Sequence, residues 1–207
     1  VLGLYLDITD RKRAERALSQ RSVLSSLSAE ISTAITQSDS LSSILDRCCK
    51  ALVGRLDAAF ARVWTLNKSE NVLELQASAG MYTHLDGDHA RIPMGKFKIG
   101  LIAQEGKPHW TNQVIGDPQV GDQGWAIREK MVAFAGHPLN VEGEIVGVMA
   151  VFARHPLAQL TVDALALAAD SIALGIHRKR ADEDLRQAKI AAEAASRAKS
   201  DFLANMS

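Results

Sequence analysis

The period of apolar positions changes several times along the chain, and each change marks a new element. Leu2 to Ile8 is a short apolar run that stops at Asp7-Ile8-Thr9-Asp10, where Thr9 or Asp10 can cap a following helix. Ala17, Gln20, Leu24, Leu27, Ile31 and Ala34 then recur at alternating three- and four-residue steps, the seam of a coiled-coil or bundle helix. After the polar break at Gln37-Ser38-Asp39-Ser40, Leu41, Ile44, Leu45, Cys48, Cys49, Leu52, Val53 and Leu56 form a broad helical stripe suited to a sheet. Ala58 to Leu66 and Val72 to Ala79 read as two strands joined by a turn at residues 67–71, an antiparallel hairpin.

The stretch from Gly80 to Gln123 lacks a sustained period, with room for a short helix at Ile99 to Glu105 and a strand at Lys107 to Gln113. Long irregular segments inside a domain are usually functional loops. A helix from Gln123 to Lys130 is expected next. Met131 to Val141 and Glu144 to Ala153 make a second hairpin about Glu142-Gly143, and the run Ile145 to Phe152 is apolar enough to be covered on both faces. Leu160-Thr161-Val162-Asp163 opens the last helix, with Thr161 as its cap, and no Gly or Pro pair stops it. About forty helical residues would reach roughly 60 Å, more than a domain needs and suited to a connector.

Composition narrows the function. With 47% apolar and 23% charged residues the chain is a folded globular protein. Its 24 basic residues balance 24 acidic ones, which argues against nucleic acid as a partner. No run approaches the roughly eighteen apolar residues of a membrane span, and Val1-Leu2-Gly3-Leu4-Tyr5 has no basic region or cleavage site. The segment is therefore expected in the cytoplasm without membrane contact, whether or not its parent is anchored. Cys48 and Cys49 are adjacent and have no CxxC or HxxxH companion, so they read as small buried hydrophobes.

Three segments resemble parts of one known arrangement. Leu4-Tyr5-Leu6-Asp7-Ile8-Thr9-Asp10-Arg11-Lys12-Arg13-Ala14-Glu15 resembles the last strand and exit of a PAS domain. Lys107-Pro108-His109-Trp110-Thr111-Asn112, Asp117-Pro118, and Ala133 to Leu139 followed by Gly143 to Val148 resemble a GAF domain. Ala198-Lys199-Ser200-Asp201-Phe202-Leu203-Ala204-Asn205-Met206-Ser207 resembles the entry to the dimerisation domain of a sensor histidine kinase. The resemblance implies an α/β (α+β) fold with a central antiparallel sheet, helices on one face and a pocket under loops on the other, between long N- and C-terminal signalling helices. It divides the chain into the end of a PAS domain (1–10), a connecting helix (11–36), a GAF sensor domain (37–178) and a helix entering the kinase (179–207). The phospho-accepting histidine of that family would follow the last motif, and none of the six histidines matches it.

Candidate chemistry is sparse. Gly95-Lys96-Phe97-Lys98-Ile99-Gly100 has two glycines but no Lys-Ser or Lys-Thr after the second, as a P-loop requires. His109 and His137 are the histidines considered for haem or metal, but no helix face gathers a ligand set. His109 and Trp110 fall on opposite faces of a strand, so one of them faces the pocket. Bilin-binding relatives need a cysteine near the pocket, which this chain lacks; the acidic pair of cyclic-nucleotide binders is missing after Phe134, and so are the loop cysteines of the methionine sulfoxide reductases of this fold. A small-molecule pocket is expected from His109, Trp110, Asn112, Asp117, Asp122, Trp125 and Phe134, aromatic walls with a few polar fixers. The cofactor, if any, is left open.

The expected function is a dimeric sensor that converts a small-molecule or redox event into helix movement reaching the PAS and kinase domains of the same parent. The alternative is a ligand-free module that only dimerises and relays. No catalytic pair stands out, so this segment is not expected to be an enzyme.

Overall fold

The computed structural model describes residues 21–205. Helix α1 occupies 21–37 and is followed by α2 (Leu41–Leu56), β1 (Phe60–Asn67), β2 (Val72–Gly80), β3 (Arg91–Pro93), α3 (Phe97–Glu105), β4 (His109–Thr111), α4 (Gln123–Arg128), β5 (Ala133–Val141), β6 (Glu144–Ala153) and α5 (Gln159–Asn205). The PAS-like residues 1–10 and the first part of the connecting helix lie outside the described residues, as do Met206 and Ser207 at the end of the kinase-like motif.

Six antiparallel strands form one sheet in the order β3-β2-β1-β6-β5-β4. Period two along the central strands sends alternate side chains to two separate cores. On one face Ala61, Val63, Ala135, Leu139, Met149 and Val151 pack beneath α1, α2 and α5. On the other, Phe60, Trp64, Phe134, Val148 and Ala150 pack beneath α3, α4 and the loops. The continuously apolar β6 is covered on both sides, as its sequence requires.

The regular spacing of Leu73, Leu75, Ala77 and Ala79 suggests that they share a face, but they do not. Pairing shifts between Val63↔Ala77 and Trp64↔Leu75, and this bulge sends Ala77 and Ala79 to the helix core, Leu73 and Leu75 to the loop core. Ser40 caps α2 through its Oγ, which accepts from Ser43 N at 3.2 Å. Asp57 closes that helix in the left-handed region, φ 52°, with its N–H donating to Val53 O.

Helix α5 corrects two expectations. It begins at Gln159, and the Ala158 carbonyl, accepting from Thr161 N at 2.9 Å and Val162 N at 3.1 Å, does the work expected of a Thr161 side chain. Its first part is also long and apolar enough to cross a membrane by length and composition, contrary to the reading that no run approaches one. Val162, Leu165, Ala169, Ile172, Ala173 and Ile176 are buried in the helix core, which is what a core helix of a globular domain needs. From Ala181 to Arg197 every residue is exposed.

Candidate functional site

The loop face gathers three of the expected pocket residues around a lysine that the sequence reading passed over. Phe134, 1% exposed, is the second residue of β5, with the β4 pairings His109↔Gly136 and Thr111↔Phe134 beside it. Direct pairs share a face, so His109 turns towards the loop core. Its ring lies 6.2 Å from that of Phe134. Trp110 pairs with Ala135, turns to the opposite face and is 42% exposed.

Lys98 comes from the first turn of α3 and places its Nζ 4.4 Å above the Phe134 ring and 2.5 Å from Asp117 Oδ2. The side chains are 7% and 11% exposed, so this is a buried ion pair with a cation–π floor. The entry to α3 is strained: Phe97 holds φ 53° although it is bulky and exposed, and it directly precedes Lys98. Gly136 allows α3 to approach, since a Cβ there would lie 2.5 Å from Ile102 Cδ1.

The loop carrying Asp117 is held from within. Gln123 Nε2 donates to the Asp117 carbonyl at 2.8 Å and the Val120 carbonyl at 3.0 Å, while its Oε1 accepts from Gly116 N at 2.8 Å. Asp117 Oδ1 also accepts from Gln119 N at 2.9 Å. Burial pushes the Asp117 carboxyl up, but the hydrogen bonds from Lys98 and Gln119 outweigh it and hold the group below its ordinary value. His109 Nε2 is 3.8 Å from Asp117 Oδ2, beyond hydrogen-bond length, and is buried without a partner.

The other expected residues have local duties. Asn112 binds the Leu157 backbone in both senses, Nδ2 donating to its carbonyl at 3.1 Å and Oδ1 accepting its N–H at 2.8 Å, which ties β4 to the start of α5. Asp122 caps α4, accepting from Trp125 N at 2.7 Å. Trp125 donates from Nε1 to Tyr82 Oη at 2.9 Å and packs edge-on against Phe60 and Phe152, so it joins the loop-face aromatic cluster that reaches Phe134 through Phe152. At this ion pair, Lys98 and Gln123 are the residues that the sequence alone does not signal. In sequence the glycine-flanked Lys96-Phe97-Lys98 resembles only a phosphate loop, and no spacing signals Gln123.

A family model described as a GAF domain matches residues 38–177. The chain belongs to the GAF domain family. GAF domains are sensory or regulatory modules, and solved structures with this fold are diverse. They include the GAF domain of a phosphoenolpyruvate-protein phosphotransferase from Coxiella burnetii, 19% identical with TM-score 0.69, the match covering 81% of this chain and 98% of that one. The free methionine-R-sulfoxide reductase from Neisseria meningitidis, solved in complex with its substrate, is 16% identical with TM-score 0.64, covering 79% and 91%. Residues 122 to 287 of a methyl-accepting chemotaxis protein are 22% identical with TM-score 0.59, covering 72% and 96%. Comparison with curated proteins finds no match. At these identities the likeness speaks for the fold alone.

In this GAF domain the two cysteines lie on α2, behind the sheet from the loop face. Burial pushes the Cys48 thiol up to about 12 and raises Cys49 as well, so both are protonated at neutral pH. Among the described residues no three His, Cys, Asp or Glu side chains form a metal-binding group.

Acid sensitivity follows from the histidines. Burial lowers the imidazole values of His89, His109 and His137, and His137 Nε2 is sealed without a partner. The folded state therefore favours neutral rings, whereas unfolded histidine gains a proton below about pH 6.5. This contribution is present above that value and is lost as pH falls through the lower folded values. The melting temperature should drop between about pH 7.5 and pH 5.5, and drop less in His137→Gln. Equal pH slopes for the two proteins would remove His137 from this account.

Proposed function

We propose that this GAF domain is the sensory relay of a histidine kinase, taking input on its loop face and delivering output through α5. The observation that carries the reading is the seven-residue spacing of Leu160, Leu167 and Leu174 along α5, all exposed on a stretch whose Val162, Leu165, Ala169, Ile172 and Ile176 are buried in the helix core. The same phase continues through Ala181, Ala188 and Ala195 towards the kinase-like motif. Leu160, Ala164, Leu167 and Ser171 line a groove with Leu24 and Ser28 of α1, a shape that suits the paired helices of a second copy. The small and charged residues further along, Arg178 and Lys199 among them, make a weak seam in which alternative rotations lie close in energy.

Input and output share their strands. Phe134 and Phe152 meet the loop core, and their neighbours Ala135 and Val151 meet the helix core under α5. A displacement of Phe134 on one face thus has a short route to α5 on the other. A ligand-free relay is favoured by a specific feature of the same region: Trp64, Met131, Phe134 and Val148 already fill the loop core.

Insertions in the parent kinase separate phase from mere connection. Seven residues added after Gln187 restore the heptad phase and should preserve regulation, while four rotate the downstream seam by about half a turn and should disrupt or invert it. Autophosphorylation with and without stimulus is the readout. A four-residue insertion that leaves the response unchanged, beside a seven-residue one that abolishes it, eliminates helical phase as the messenger.

A further inference from the structure

The loop face holds a second buried cation, and this one has no counter-charge among the described residues. Arg62 is the third residue of β1, where alternation with Phe60 and Trp64 turns its side chain inward, and only 6% of the residue is exposed. Its Nε donates to Ser78 Oγ at 3.2 Å, and Ser78 Oγ donates in turn to the Tyr82 carbonyl at 2.7 Å. The rings of Phe60 and Tyr82 lie 5.5 and 5.6 Å from the guanidinium carbon. Together these contacts fix the guanidinium in place.

They use only one of its five N–H donors. Among the described residues neither Nη nitrogen meets a hydrogen-bond acceptor, and no carboxylate stands within ion-pair distance. Lys98, buried to a similar degree, has Asp117. Ring faces offset far less than the cost of taking an unpaired charge out of water. The Nη nitrogens are also absent from the sealed, unpartnered side-chain atoms, which among the described residues are His109 Nε2 and His137 Nε2, so the fork retains access from outside. His89 lies close by; burial first and the Arg62 charge second keep it below its ordinary value, so it adds no positive charge at neutral pH.

We propose that Arg62 anchors a binding site for a small carboxylate-bearing molecule, whose two oxygens accept from the two Nη nitrogens beside Phe60 and Tyr82. A carboxylate fits because its planar, singly charged pair of oxygens matches the free edge of one guanidinium. A phosphate dianion calls for further positive charge or a nest of backbone N–H groups, and among the described residues no second cation contacts Arg62. The assignment rests on the loop face being the input side of the relay. Binding is measured on this chain alone, so its failure is distinct from a failure of the insertion test in the parent.

The test follows the Arg62 Nε–Hε resonance of the 15N-labelled 207-residue chain during additions of sodium benzoate, sodium acetate, inorganic phosphate and sodium chloride at matched ionic strength. A saturable shift with a carboxylate, with a dissociation constant on the order of millimolar as befits so small a probe, is expected. Arg62→Met should abolish the binding seen at neighbouring amides. Should Arg62→Met fail to fold, Arg62→Lys keeps the charge without the fork and should bind about tenfold more weakly. No saturable shift, equal shifts with chloride, saturation by phosphate alone, or full affinity in Arg62→Lys each overturns the carboxylate fork.

Discussion

Asp117→Ala is expected to cost the folded chain about 3–5 kcal/mol, although the residue belongs to an irregular loop. The reason is Lys98, whose ammonium would be left 7% exposed over Phe134 with no anion beside it. Removing both charges is a different experiment. The double variant Lys98→Met with Asp117→Leu should recover most of the loss, because desolvation of the pair disappears with the pair. Urea denaturation of the three proteins at neutral pH checks this, and a loss below about 1 kcal/mol in Asp117→Ala would show the pair to be solvated. The gap between wild type and Asp117→Ala should close in acid. The folded Asp117 carboxyl lies below its unfolded value of about 3.9, so its contribution is complete above that value and is lost as pH falls through the folded one.

Phe134→Ala should be equally severe, about 3–5 kcal/mol, since it opens a void under a fully buried ring. It also removes the floor beneath Lys98 and the edge contact with Phe152, whose ring centroid is 4.9 Å away. Trp110→Ala, one strand over, is the control. At 42% exposure and on the other face, it should change stability by no more than about 1 kcal/mol. Comparable losses at both positions would mean that the β4 register, and with it the placement of His109, is wrong.

The fold was largely legible because its strong signals are local. The turn at Asn67–Asn71 and that at Glu142-Gly143 bracket long alternating or continuous apolar runs, and α2 carries an unbroken stripe. Three residues of β3 give alternation nothing to work on, so that strand emerges only from its pairing Leu73↔Ile92. Alternation also reduced His109 and Trp110 to a choice between faces, and the pairing of β4 with β5 made it. The expected pocket residues divided for another reason. Asn112 and Asp122 are short polar side chains next to turns, where backbone N–H and carbonyl groups compete for them. Lys98 meets Asp117 across 19 residues, a distance that no periodicity spans. Arg62 was the clearest missed clue, a lone charge on the inward phase of an otherwise apolar strand.

The ends of the sheet settle how such a domain can live in company. Its two border strands, β3 and β4, are three residues each; β3 finishes at Pro93, and Pro108 immediately precedes β4. So short a border, with proline at or beside it, gives a neighbouring chain almost no ladder to extend. Crowded copies of this protein are thereby discouraged from zipping strand to strand into aggregates.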